Sequence, residues 1–166
     1  MRMLLVSILA IASLIGQSTP AQAQSAALTG EMVYGNDLIG GPWSCTTAIP
    51  AMMGQPARTD QVTLTFDVVP GNVLHDHVSG IVYSDDDYFG YSPKMKMYWS
   101  ASADNLGNNG SATSTDAKTY TGTSSMGSMT MSVSSTYARV SASNITLHEV
   151  VSGNGEQQVF DSNCTR

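Results

Sequence analysis

The sequence predicts an all-β fold: an antiparallel closed barrel of about 8–10 strands, preceded by a short N-terminal helix. Three observations lead there. Apolar residues recur at every second position along most of the chain, the period of a strand with one buried face. Turn signals such as Pro70-Gly71-Asn72, Ser92-Pro93 and Ser152-Gly153-Asn154-Gly155 punctuate these stretches. Polarity comes from Ser, Thr, Asn and Gly, because only 12% of the 166 residues are charged, about half of an ordinary soluble domain's share of roughly 25%. Hydrophobic content is 42%, so the low charge does not signal disorder. The length suits one domain.

The first 23 residues read as a secretory signal peptide. Arg2 precedes an apolar run over 4–15, and Ala21-Gln22-Ala23 places small residues at the two positions that a signal peptidase reads. The apolar run is short for a membrane span, which needs about 20 residues. Residues 24–40 form an N-terminal segment, helical in part and ended by Gly40-Gly41-Pro42, and residues 41–166 form the barrel domain.

The strands follow in order. Trp43, Cys45, Thr47 and Ile49 share one face of the first. Val62, Leu64, Phe66 and Val68 share one face of the second. A third strand is expected over 73–84, with Asp85-Asp86-Asp87 as a solvated turn, and a short fourth over 88–91. Met95, Met97, Trp99, Ala101 and Ala103 alternate along a fifth, as the lining of a tapering barrel does. The Asn/Gly/Ser-rich stretch 104–116 is expected to be a mobile loop. Strands over 120–123, 128–134, 137–141, 145–151 and 157–164 complete the set, the last two joined as a hairpin. A two-sheet sandwich would need Greek-key crossings, whereas these connections look short.

Charge and cysteine content narrow the function classes. Seven basic against 13 acidic residues give a net charge of −6. That argues against a general nucleic-acid binder and against docking on an anionic membrane surface. No membrane anchor is expected after signal cleavage. In an oxidising, exported setting the pair Cys45 and Cys164 reads as a disulfide, the alternative being two buried thiols; no Cys-x-x-Cys spacing suggests a metal or redox pair.

Gly41-Pro42-Trp43 resembles the Gly-x-Trp start of lipocalin-like (calycin) barrels. Tyr88-Phe89-Gly90-Tyr91 followed by Met97-Tyr98-Trp99-Ser100, and the ending Cys164-Thr165-Arg166, are similar to a pattern in an uncharacterised bacterial family of secreted lipocalin-like proteins. The anchors are scattered over residues 36–166, and Ser92 stands where the pattern carries Asp. The resemblance implies a calycin barrel whose first-strand Trp43 packs across the closed bottom under a late basic residue, Arg166 or Arg139. It implies an exported, periplasmic or secreted protein. It implies no settled activity.

Candidate chemistry falls into three readings. A barrel interior lined by Trp43, Phe66, Tyr91, Met95, Met97, Trp99, Met129, Met131, Tyr137 and Arg139 mixes apolar, aromatic and polar groups as ligand pockets do. This favours a non-enzymatic carrier of a small hydrophobic or amphipathic molecule. Second, His75 and His77 share a strand face, and His148 is expected near them across the barrel. With the methionines of 95–97 and 126–131 they suggest copper or zinc handling. The plainer readings are surface histidines and methionine as a flexible core filler. Third, an enzyme acting on a buried hydrophobic substrate would use Arg139, His148 and Tyr137, on fold analogy alone. Gly-x-Ser-x-Gly is absent, so no serine-hydrolase elbow is present. No cofactor is required by any motif, and a partner-binding module that uses the Asn/Gly loop of 104–116 as its contact is a further reading.

Overall fold

The computed structural model describes residues 27–51, 55–81 and 83–166. The signal-peptide reading of 1–23 lies outside the described residues. The chain starts with a 3₁₀ helix, Gly30–Asp37. Ten strands follow: β1 Trp43–Ile49, β2 Arg58–Val69, β3 Val73–Ser79, β4 Ser84–Ser92, β5 Met97–Asp104, β6 Asn109–Ser114, β7 Thr119–Met126, β8 Met129–Ser141, β9 Asn144–Gly153 and β10 Glu156–Thr165. Each pairs antiparallel with its neighbour in sequence, and β10 pairs with β1, closing the barrel. Closure leaves no strand edge open.

Turn chemistry sets this simple path. Asn154 and Gly155 both have positive φ (53° and 80°), as the two-residue hairpin between β9 and β10 requires. At Gly122 the backbones of β6 and β7 approach so closely that a Cβ would collide with Ser111 and Ala112.

The expected segmentation needs four corrections. Residues 73–84 are not one strand: β3 ends at Ser79, and Asp85-Asp86-Asp87 lies inside β4. Asp has low β-propensity, yet pairing on both sides overrides it. The stretch 104–116 is not a loop throughout, since Asn109–Ser114 forms β6, held between β5 and β7. The stretches 128–134 and 137–141 are one continuous strand, β8. Finally, the face carrying Met97, Trp99, Ala101 and Ala103 is the outer one. Register decides it: Tyr98 opposes Tyr91, and Ser100 opposes Phe89, and these residues point to the core. Trp99 instead lies over Gly90 on the outside, in the space where a Cβ would have been.

The core gathers at one end. Trp43, Cys45, Leu64, Phe66, Leu74, Phe89, Tyr120, Ile145 and Cys164 are buried, and Leu28 and Met32 reach them from the N-terminal segment. Asn72 in the β2–β3 turn ties this segment down, its side chain accepting from Thr29 N (2.8 Å) and donating to Thr29 O (3.0 Å). Trp43 Nε1 donates to Leu38 O at 2.9 Å. The Arg166 guanidinium stacks 4.4 Å from the Trp43 ring and donates to Ile39 O (3.1 Å) and Asp37 O (3.0 Å). Of the two basic residues considered for this place, Arg166 occupies it. Arg139 ion-pairs with Asp37 beside it.

Cys45 opposes Cys164 in the β1–β10 register and is bonded to it. The bridge spans 119 residues of sequence, and chain-entropy reasoning assigns such a loop about 4–5 kcal/mol. Reduction is therefore expected to lower the melting temperature by roughly 10 °C while leaving room-temperature β-type circular dichroism in place. Calorimetry with and without reductant checks this; an unchanged melting temperature with both thiols titratable would contradict it.

Candidate functional site: an acid-lined lumen

The two ends of the barrel differ. At the plugged end lie the 3₁₀ helix, the β2–β3, β4–β5, β6–β7 and β8–β9 turns, and Arg166. The opposite end carries the remaining connections. Between the aromatic core and that second end, the inner faces of β3, β4 and β9 carry carboxyls. Asp76 opposes Phe66 on β2 and Asp87 on β4, so the three share the inner face. Asp85 opposes Val78, one inward position nearer the second end. Glu149 on β9 opposes Ser135 on β8, whose hydroxyl donates to Glu149 Oε2 at 2.8 Å.

Enclosure raises the pKa of every one of these groups. Burial pushes Asp76 and Asp87 well above the usual carboxylate range, and neighbouring carboxyls push them further: Asp85 for both, with Asp76 and Glu149 also acting on Asp87. Burial likewise raises Asp85 and Glu149. Like charges in a water-poor space cannot all ionise. Asp76 is 2% exposed, and its Oδ1 has no hydrogen-bond partner; Asp85 Oδ1 also lacks one, while Asp85 Oδ2 accepts from the Tyr83 hydroxyl at 2.9 Å. Asp85, Asp87 and Glu149 keep part of their surface accessible although they point inward.

Aromatic rings floor this layer. Phe89, Tyr120 and Tyr137 meet edge to face, with centroids 5.5, 5.7 and 6.2 Å apart. Tyr137 is pushed up by burial and by the charges of Asp87, Asp76 and Glu149, so its ring belongs to both layers. The opposite wall, from β5 to β7, presents small side chains: Ser102 opposes Gly110, which opposes Ser124, and Ser100 opposes Ala112, which opposes Gly122.

The expected site residues scatter over these surroundings. Trp43 and Phe66 are buried core residues, and Tyr91 and Tyr137 pack against the core. Met95 is 57% exposed in the β4–β5 turn. Met97 and Trp99 are on the outer face, so they do not line the lumen. Met131 and Met129 face inward near the β7–β8 turn, where Met126 opposes Met129. The methionines of 95–97 and of 126–131 therefore lie at opposite ends of the barrel. Arg139 is at the plugged end, and His148 is bonded to Asp161 at 2.7 Å on the outer face. Arg139, His148 and Tyr137 thus do not converge.

His75 and His77 do share the outer face of β3. Both contact Asp86 Oδ1 at 2.9 Å, His75 through Nε2 and His77 through Nδ1, and His75 Nδ1 also contacts Asp67 at 2.9 Å. These contacts hold Asp86 below the usual carboxylate range. His148 is not adjacent: β2, β1 and β10 separate its strand from β3. Among the described residues, no group of three His, Cys, Asp or Glu side chains is disposed to hold a metal ion.

The luminal acids escaped the sequence reading for a definable reason. A triple Asp resembles a turn, and His-Asp-His draws attention to its imidazoles. The available signal was Leu74-x-Asp76-x-Val78, a carboxylate on an otherwise apolar strand face. No protein-family model matches the chain, and no curated protein matches it.

The raised carboxyls make stability pH-dependent. A group whose folded pKa is raised stabilises fully below its ordinary pKa, and that contribution is lost as pH rises through the folded value. Asp116 works in the opposite sense. Backbone amides of Thr119 and Lys118 hold it down at about 2, so its contribution fades only in strong acid. The melting temperature is therefore expected to be higher near pH 5 than near pH 8. Asp87→Asn should flatten that difference and raise the value at pH 8. A melting curve that rises steadily from pH 5 to pH 8 in the parent protein would contradict it.

Proposed function

We propose that this protein is an exported, calycin-like binding barrel that takes up a small amphipathic molecule through the end opposite the 3₁₀ helix. The observation that carries this reading is the division of the interior. One half is filled by aromatic and aliphatic side chains and plugged beneath Trp43. The other combines a wall of Ser, Gly and Ala with partly accessible acidic groups. An eight-to-ten-stranded barrel has room for one small ligand when its lining is small. The filled half favours an amphipathic ligand in the outer half over a wholly apolar one at the bottom.

Export is supported by the disulfide, which fits a periplasmic or extracellular compartment. Among the described residues no helix is long and apolar enough to cross a membrane. The calycin-like assignment is supported by Trp43 under Arg166 at the plugged end.

The experiment is titration of the purified, disulfide-bonded protein with N-phenyl-1-naphthylamine, a weakly basic apolar dye that is neutral at pH 7.5. Saturable fluorescence enhancement is expected, weakened about tenfold or more by Ser124→Trp, which would fill the small-residue wall. Ser124→Trp protein with a parental melting temperature and parental dye binding would overturn luminal uptake, as would the absence of saturable binding by the parent.

A further inference from the structure

The acid layer has no protein counter-charge. Among the described residues, Arg58 pairs with Asp60, and Arg139 pairs with Asp37. Arg166 stacks on Trp43. Lys94 and Lys96 belong to the β4–β5 connection and Lys118 to the β6–β7 connection, both at the plugged end. His75 and His77 are turned to the outer face, toward Asp86 and Asp67. Arg58 is on the inner face of β2 at the open end but is paired with Asp60, so among the described residues no unpaired cation faces Asp76, Asp87 and Glu149.

A second observation points to a missing partner. Asp76 is almost fully buried, at 2% exposure, its side chain is on the inner face opposite Asp87, and its Oδ1 finds no donor. A buried carboxyl oxygen without a donor costs free energy unless something supplies one. Asp85 Oδ1 is a further acceptor without a donor in the same wall.

We propose that Asp76, Asp87 and Glu149 form a recognition site for an organic ammonium ion, the charged head of an amine-bearing amphipathic ligand. An ammonium brings up to three N–H donors and a full positive charge, which supplies both things that the layer lacks. The Tyr137 ring borders the acids, and an aromatic ring beside a cation favours it over a neutral head. Burial and the neighbouring carboxyls favour the protonated form of these acids, and an arriving cation favours the ionised form, so ligand entry exchanges protons for the ammonium. Binding therefore releases protons to the buffer. A coordinated metal ion is the less suitable occupant, because among the described residues no three His, Cys, Asp or Glu side chains are close enough together to coordinate one.

This inference rests on the luminal binding reading, and the test separates the two. Octylamine, octan-1-ol and octanoate are compared at pH 7.5, both as displacers of N-phenyl-1-naphthylamine and by calorimetry without the dye. Octylamine is expected to bind at least about tenfold more tightly than the alcohol, with octanoate weakest. Its binding heat should vary with buffer ionisation enthalpy, as proton release demands. Asp76→Asn should reduce the amine-to-alcohol preference to within about threefold; Glu149→Gln serves the same purpose if that variant does not fold. Dye binding without any amine preference, or a preference unchanged in the folded variants, would overturn the cation site and leave luminal uptake standing. Absence of both dye binding and amine binding would overturn luminal uptake and the cation site together. Saturable Zn²⁺ or Ca²⁺ binding that Asp76→Asn abolishes, with no amine preference, would replace the ammonium by a metal ion.

Discussion

Closure of the sheet between β1 and β10 is the constraint on which everything else depends. Every other strand pair joins neighbours in sequence and forms from a short connection. The β1–β10 pair joins segments 119 residues apart at its cysteines, so its loop-closure entropy is the largest in the fold. Three groups meet at this seam: the Cys45–Cys164 bond, the Trp43 ring, and the Arg166 guanidinium stacked on it. The disulfide draws together the same strands whose side chains build the plug. Once the ring of strands is closed, a lumen exists, and each inward position is committed to it.

A commitment of that kind explains how four carboxyls come to be gathered inside a disulfide-bonded β-barrel. On an open sheet Asp76, Asp85, Asp87 and Glu149 would be solvated surface residues. In the closed barrel β4 and β9 face one another across the interior, and Glu149 acts on Asp87 from the far wall. Most of the remaining core is apolar or aromatic, so the acids are the exception that needs a physical reason. They cost stability when ionised, and Asp85 keeps one oxygen and Asp76 keeps Oδ1 without a donor.

The outer face obeys a different logic. His75, His77 and Asp86 satisfy one another there, with Asp67 as the outer partner and Tyr88 stacked on His75 at 4.8 Å. Cross-strand pairs such as Thr46 with Gln61 link neighbouring strands by uncharged hydrogen bonds rather than by charge. This is how a chain with so few charged residues keeps ten strands wetted. Trp99 over Gly90 belongs here too, as a ring covering bare backbone. An alternating Met/Trp/Ala face reads as a barrel lining by composition. Its direction depends on the partner strand, and Tyr91 opposite Tyr98 turns it outward.

The sequence by itself determined the all-β class, the pairing of the two cysteines and the inward faces of β1 and β2. These follow from period-two patterning, turn residues and a lone cysteine pair, all of which are local or nearly so. Resemblance placed Trp43 under a late basic residue but left Arg139 and Arg166 both open, and the fold chose Arg166. Only the tertiary structure decided which face of β5 is inside, whether Asp85-Asp86-Asp87 is turn or strand, and what the lumen contains. The physical reason is the same in each case. A strand's two faces are equivalent until its neighbours fix the register, and a slip of one residue exchanges them. The acid layer is therefore a property of the closed barrel: it exists only because β3, β4, β8 and β9 are held around one interior.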